Sequence, residues 1–155
     1  MSYTIRKEVH QMNIKEVADM FDLTVDTIRY YEKIGVVPPI TRDKRGYRVF
    51  TTRDLNWVFL AKSLRNAGVS IESLVEYAAL SQVDGDERLA QKEILQSQLS
   101  ELEQKLSELH KTRDLLAYKI DTFDAHIAKF NNNGIPDDQV EELWKMEHFK
   151  SNTNQ

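Results

Sequence analysis

Between Thr24 and Pro39 the chain reads TVDTIRYYEKIGVVPP, which brings Arg29, Tyr30, Tyr31 and Lys33 within five residues of one another. Guanidinium, ammonium and phenol groups all donate hydrogen bonds, and two of the three carry positive charge. Grouped on one surface, they suit the phosphate oxygens of a nucleic acid. A second concentration follows at once. Residues 40–67 contain seven Lys or Arg against two Asp, with Tyr47 among them. The net charge of −4 hides this clustering, because residues 1–80 carry 12 basic and 10 acidic side chains and residues 81–155 carry 9 and 15. A basic half joined to an acidic half is the electrostatic footprint of a surface that faces DNA. The plainer alternative is a solvated basic face.

Other chemistries find little support. The chain has no Cys, which excludes disulfides, thiolate metal sites and thiol-based redox sensing. His10, His110, His126 and His148 are scattered, and no pair has the spacing of a helix-borne metal site. No nucleophile–base pairing or phosphate-binding Gly loop occurs, so neither enzymatic activity nor a cofactor is expected. No apolar run reaches the roughly 18–20 residues of a membrane span, and MSYTIRKEVH lacks the apolar centre of a signal peptide. A cytoplasmic protein without membrane attachment is expected.

The elements that must position these groups follow from caps and periodicity. Residues 1–11 read as an extension, either a short strand with Tyr3, Ile5, Lys7 and Val9 alternating or a frayed tail. Asn13 and Glu16 form a capping box, and Ile14, Val17, Ala18 and Phe21 make the inward stripe of a first helix. Asp22 and Leu23 end it; Asp tolerates the left-handed conformation that such a turn needs. Thr24 caps a second helix with Ile28 and Tyr31 inward, and Gly35 stops it. This pair, residues 14–33, is a helix-turn-helix. Past Pro38 and Pro39, Asp43 to Gly46 is a turn between two short strands, making residues 40–50 a wing. Thr52 begins a third helix carrying Leu55, Val58, Phe59 and Leu64, which Gly68 closes. Ser70 caps a fourth, carrying Ile71, Leu74, Val75 and Ala78. The winged unit spans residues 12–81.

After the polar break QVDGD, residues 87–130 place Leu95, Leu99, Leu102, Leu106, Leu109, Leu116, Ile120, Phe123, Ile127 and Phe130 at alternating steps of four and three, with Arg113 filling the missing step. A 3.5-residue repeat of this kind keeps one seam facing a partner helix, so the segment reads as a dimerisation coiled coil. In an antiparallel pair the two Arg113 copies approach the dimer axis, met by Glu108 or Asp114 of the partner; Arg113 then either locks the register or snorkels out. Residues 131–155 begin with a helix stop at NNNG and Pro136. One short helix follows, capped by Asp137 or Asp138 and bearing Val140, Leu143, Trp144 and Phe149, and KSNTNQ frays. Tyr118, Phe123, Phe130, Trp144 and Phe149 form either a shallow effector pocket or the packing of that last helix.

Five features in this order, Asn13-Ile14 to Phe21, Thr24-Val25 through Glu32, Gly35 to Pro39, Arg48 after Gly46-Tyr47, and Ala67-Gly68-Val69-Ser70, resemble the MerR family of transcriptional regulators over residues 12 to about 130. LNWVFLAKSLRNAGVSIESLVEYAAL is most similar to the aldehyde-responsive branch of Gram-positive bacteria, with Ser63 where those relatives carry Cys. The resemblance implies a mainly α fold: a winged helix-turn-helix domain, a long antiparallel dimerisation coiled-coil helix and a short C-terminal helix. It also implies a homodimer on double-stranded promoter DNA, acting with RNA polymerase by bending and untwisting an over-long spacer. Arg29 and Tyr30 then reach DNA, Val25 and Thr27 approach base edges at the helix start, and Lys33, Lys44, Tyr47 and Arg48 complete the contact surface. Arg42, Arg45, Arg53, Lys62 and Arg65 are candidates from charge alone.

Two further functions stand beside the signal-responsive regulator. An architectural or excisionase-like DNA binder without an effector predicts constant bending. A structural scaffold whose winged unit binds protein predicts no salt-sensitive DNA affinity. Only about 25 residues follow the coil, which is short for a dedicated ligand domain.

Overall fold

The computed structural model describes residues 11–149 apart from Asp86, Asn132, Asn133 and Ile135. The expected N-terminal extension, apart from Gln11, and the frayed end from Lys150 lie outside the described residues. Among the described residues six α-helices follow in order: α1 (Ile14–Phe21), α2 (Val25–Ile34), α3 (Thr52–Asn66), α4 (Ile71–Leu80), α5 (Arg88–Asp121) and α6 (Phe123–Asn131). The chain divides into two compact units, one up to Gln98 and one from Leu99 onward.

In the first unit the helix ends are set by local hydrogen bonds. The Glu16 amide donates to Asn13 Oδ1 at 2.9 Å, and the Asn13 amide donates back to Glu16 Oε2 at 3.1 Å. Asp22 takes the left-handed conformation (φ 53°, ψ 48°) that turns the chain from α1 into α2. Thr24 Oγ1 accepts the Thr27 amide at 3.0 Å to start α2, and Gly35, at φ 85°, ends it. Thr51 and Asp54 form a second capping box at the start of α3, while Ser70 caps α4. Each device satisfies N–H groups that a helix leaves unpaired at its first turn.

Val17 and Ala18 of α1, Ile28 of α2, Val58 and Ala61 of α3 and Leu74 of α4 meet in one core, with Tyr31, Leu55, Leu64, Ile71 and Val75 packed against it. Phe59 of the expected α3 stripe is instead exposed, its ring 6.0 Å from that of Phe21. The connection after α2 supplies Val36, Val37, Ile40 and Phe50, all buried and Phe50 completely so. Val36 and Val37 turn inward because both amides donate to the Tyr31 carbonyl, at 2.9 and 3.4 Å.

The wing corrects the expectation of two strands. Among the described residues there are only two isolated antiparallel bridges, Arg42 to Arg48 and Met12 to Phe50. Two causes keep the ladder short. At the outer end the Ile40 amide donates to Glu32 and the Phe50 backbone pairs with Met12, and at the inner end Asp43 Oδ1 takes the amides of Arg45 and Tyr47 at 2.9 and 3.0 Å, committing them to the turn.

The long helix is also not uniform. Thr122 lies between α5 and α6, where the Tyr118 carbonyl accepts both the Thr122 Oγ1 at 2.8 Å and the Thr122 amide at 3.0 Å, a shared acceptor of the kind Ser and Thr side chains create within helices. The single C-terminal helix is replaced by two 3-10 turns, Asp137–Gln139 and Leu143–Lys145. Glu147 and His148 interrupt the apolar spacing after Trp144, and a short helix without a sustained apolar stripe is marginal in water.

Candidate nucleic-acid interface

The middle of α2 carries the candidate contacts because its inward side is already spent on Ile28, which is fully buried, and on half-buried Tyr31. One residue further round, Arg29, Tyr30 and Lys33 are exposed, and Val25 and Thr27 are half-buried at the helix start. Arg29 Nη1 lies 3.5 Å from Asp26, but with the two side chains 56% and 93% exposed this pair holds the guanidinium weakly. In the wing, Lys44 and Tyr47 are exposed on either side of Gly46, whose φ of 85° closes the turn.

Glu32, which sequence reasoning did not single out, joins these two elements. Its carboxylate accepts the Ile40 amide at 2.6 Å and Arg48 Nε at 2.8 Å, while Arg42 Nη2 approaches at 3.4 Å. The Glu32 side chain is only 13% exposed and that of Arg48 22%. Arg42 also donates through Nη1 to the Gly46 carbonyl at 2.8 Å, tying the far side of the turn. A shielded carboxylate with several donors is a strong fixing point, since bonds to a charged acceptor are about twice as strong as neutral ones. It sets the wing against α2.

The candidates taken from charge alone separate in the same way. Lys62 donates to the Phe21 carbonyl at the end of α1, and Arg65 Nη1 donates to the Val69 carbonyl at 2.6 Å. Both brace helix ends. Arg45 and Arg53 are exposed, as is Ser63.

In the second unit most of the described seam positions are uncovered within the chain. Exposure runs from 39% at Leu95, just before the unit, through Leu99, Leu106, Leu109, Leu116, Phe123 and Ile127 to 73% at Ile120, with Leu102 half-buried. Arg113 is exposed and lies 3.2 Å from Asp114 of its own chain. Of the described members of the expected aromatic group, Tyr118 and Phe149 come together, with ring centroids 5.9 Å apart. Phe123 and Trp144 are exposed, and the Phe130 side chain lies outside the described residues. The Tyr118 hydroxyl donates to Glu141, whose carboxylate raises the phenol pKa above its usual 10.0. His126 Nε2 lies 3.3 Å from the same carboxylate. No group of three or more His, Asp or Glu suited to a metal ion occurs among the described residues, and no helix among them is long and apolar enough to cross a membrane.

Comparison with known proteins agrees with this arrangement. Residues 12–80 match the MerR HTH family regulatory protein family. The chain is 46% identical over 85 residues to the HTH-type transcriptional regulator AdhR of Bacillus subtilis, an alignment covering 54% of this chain and 60% of that regulator's length. A crystal structure described as a MerR family transcriptional regulator from Listeria monocytogenes superposes with a TM-score of 0.71 at 38% identity, covering 78% of this chain and 92% of that one. The crystal structure of HiNmlR, a MerR family regulator lacking the sensor domain, bound to promoter DNA, superposes with a TM-score of 0.67 at 27% identity, covering 76% and 94%. With a winged helix-turn-helix unit and a long helix in the order of these relatives, the chain belongs to the MerR family of DNA-binding transcriptional regulators.

Proposed function

We propose that the protein binds double-stranded promoter DNA as a homodimer and controls transcription by distorting the spacer between the elements that RNA polymerase recognises, in response to a signal. The observation that carries this reading is the Glu32 junction. It fixes α2 and the wing together so that Arg29, Tyr30, Lys33, Lys44 and Tyr47 remain exposed on elements of set relative position. Val25 and Thr27 approach base edges from the start of α2, and the basic groups hold phosphates on either side.

The dimer follows from the seam. A row of exposed Leu, Ile and Phe from Leu95 to Ile127 is an apolar stripe that water disfavours, and a second copy in antiparallel register covers it. Two winged units on one duplex give the contacts needed for distortion, since bending a site of 20–30 base pairs costs about 1–10 kcal/mol. HiNmlR, described as lacking the sensor domain, is a promoter-bound relative of similar fold. With no thiol in the chain, the signal reaches this protein by a route other than cysteine chemistry. An architectural protein without an effector predicts the same complex and a bend that never changes.

The test is a gel-shift and sedimentation series on the duplex upstream of the protein's own gene. Two chains per duplex are expected, with affinity falling steeply as salt rises and with loss of the shifted band for Arg29→Ala. One chain per duplex, or an affinity indifferent to salt, contradicts the proposal.

A further inference from the structure

The unit from Leu99 onward contains a cleft of about 500 Å³, within the size range of small-molecule sites. Lys119 comes to it from α5, His126 and Lys129 from α6, and Val140, Glu141 and Leu143 from the segment around the two 3-10 turns. The charges are unevenly committed. Glu141 accepts the Tyr118 hydroxyl and lies beside His126, so its carboxylate is engaged. Lys119 and Lys129 have no hydrogen-bond or ion-pair partner among the described residues. The cleft therefore presents two exposed ammonium groups that make no direct ion pair among the described residues, against the one carboxylate of Glu141, beside an apolar wall of Val140 and Leu143.

We propose that this cleft binds a small monocarboxylic acid with an aryl or short alkyl body, its carboxylate held by Lys119 and Lys129 and its body against Val140 and Leu143. An inorganic anion leaves the apolar wall in water. A neutral hydrocarbon leaves two ammonium groups unanswered. A cation meets the lysines first. A polynucleotide exceeds the volume.

The position also gives binding a consequence. Lys119 and Lys129 stand on opposite sides of Thr122, where α5 gives way to α6, so an acid held by both bridges this junction. Ile120, Phe123 and Ile127 of the seam occupy the same stretch. This step rests on the regulator reading above and names the chemical class of its signal; occupation of the cleft does not depend on that reading.

Calorimetric titration of the full chain with benzoate and with octanoate tests the cleft, with acetate and inorganic phosphate as charge-only controls and benzyl alcohol as the neutral one. Benzoate or octanoate is expected to bind once per chain, at least about tenfold more tightly than any control. The double variant K119Q/K129Q should lose at least about tenfold in affinity while keeping its melting temperature, because both side chains lack partners. In a Trp57→Phe background the remaining indole, Trp144, adjoins Leu143 and should change its emission on titration. Failure of both acids to bind at millimolar concentration, equal binding of benzyl alcohol, or wild-type binding by the double variant overturns the proposal. Gel shifts without added acid separate the two readings. DNA binding without acid binding removes the cleft alone, and acid binding without DNA binding removes the regulator reading alone.

Discussion

Replacing Glu32 by Ala should loosen the wing from α2 and weaken DNA binding without touching a DNA-facing side chain. The substitution removes acceptors for three donors: the Ile40 amide at 2.6 Å, Arg48 Nε at 2.8 Å and Arg42 Nη2 at 3.4 Å. Arg42 contributes least, since its side chain is nearly half exposed and it keeps its bond to the Gly46 carbonyl. The other two are hydrogen bonds to a charged acceptor, each about 1.5–3 kcal/mol, in a site mostly shielded from water. Some of that returns through solvent reaching Arg48, so a loss of about 3 kcal/mol is expected. This is a large part of the 5–15 kcal/mol typical of a domain. Urea unfolding supplies the measurement. A cycle with Arg48→Ala isolates the pair, for which a coupling of about 1–3 kcal/mol is expected. The Ile40 amide should also lose protection from hydrogen exchange before the helices do. A stability loss below about 1 kcal/mol, with no coupling to Arg48 and unchanged DNA affinity, refutes the assignment of Glu32 as the junction.

Four further substitutions probe other links. Arg29→Ala should abolish most of the specific affinity in a gel shift while leaving the unfolding curve in place, because its partner Asp26 is exposed. Lys44→Ala should weaken all DNA sequences alike and lower the salt slope by about one, the signature of a lost phosphate contact. Phe50→Ala should cost about 3–5 kcal/mol in chemical denaturation, since a fully buried ring is removed from the centre of the first unit. Arg113→Leu should raise the melting temperature of the dimer, as a charge leaves the apolar seam; a lower melting temperature would show that Arg113 stabilises the pairing.

The parts legible in the sequence are those fixed by neighbours three and four residues apart. Asn13 with Glu16, the Thr24 and Ser70 caps, the left-handed Asp22 and the stripes of Val17, Ile28, Val58 and Leu74 are local signals, and the structure repeats them. The capping box at Thr51 and Asp54 has the same local character. The outward placement of Arg29, Tyr30 and Lys33 follows once Ile28 is known to be inward.

What the sequence concealed depends on residues far apart in the chain. Glu32 and Arg48 are 16 residues apart, and no helical or strand period connects them; the only hint was one carboxylate between two basic clusters. Arg48 read as part of the DNA contact surface, and no sequence signal showed that its Nε also bonds Glu32. Met12 pairs with Phe50 through the backbone, which carries no side-chain signature at all. Val36 and Val37, next to two prolines, read as a connection, yet the Tyr31 carbonyl turns them into the core. The break at Thr122 and the two turns of the tail escaped for a different reason. The apolar repeat runs through Thr122 undisturbed, and Trp144 and Leu143 imitate a helical stripe over too few residues to sustain one.

Recovery and sequencing of the DNA crosslinked to this protein in living cells is the most direct test of the central claim. A small set of discrete sites is expected, each lying between the two polymerase recognition elements of a promoter whose spacer is longer than usual, and each lost in an Arg29→Ala strain. Recovery spread evenly over the chromosome, or discrete sites away from promoters that persist in that strain, would contradict it.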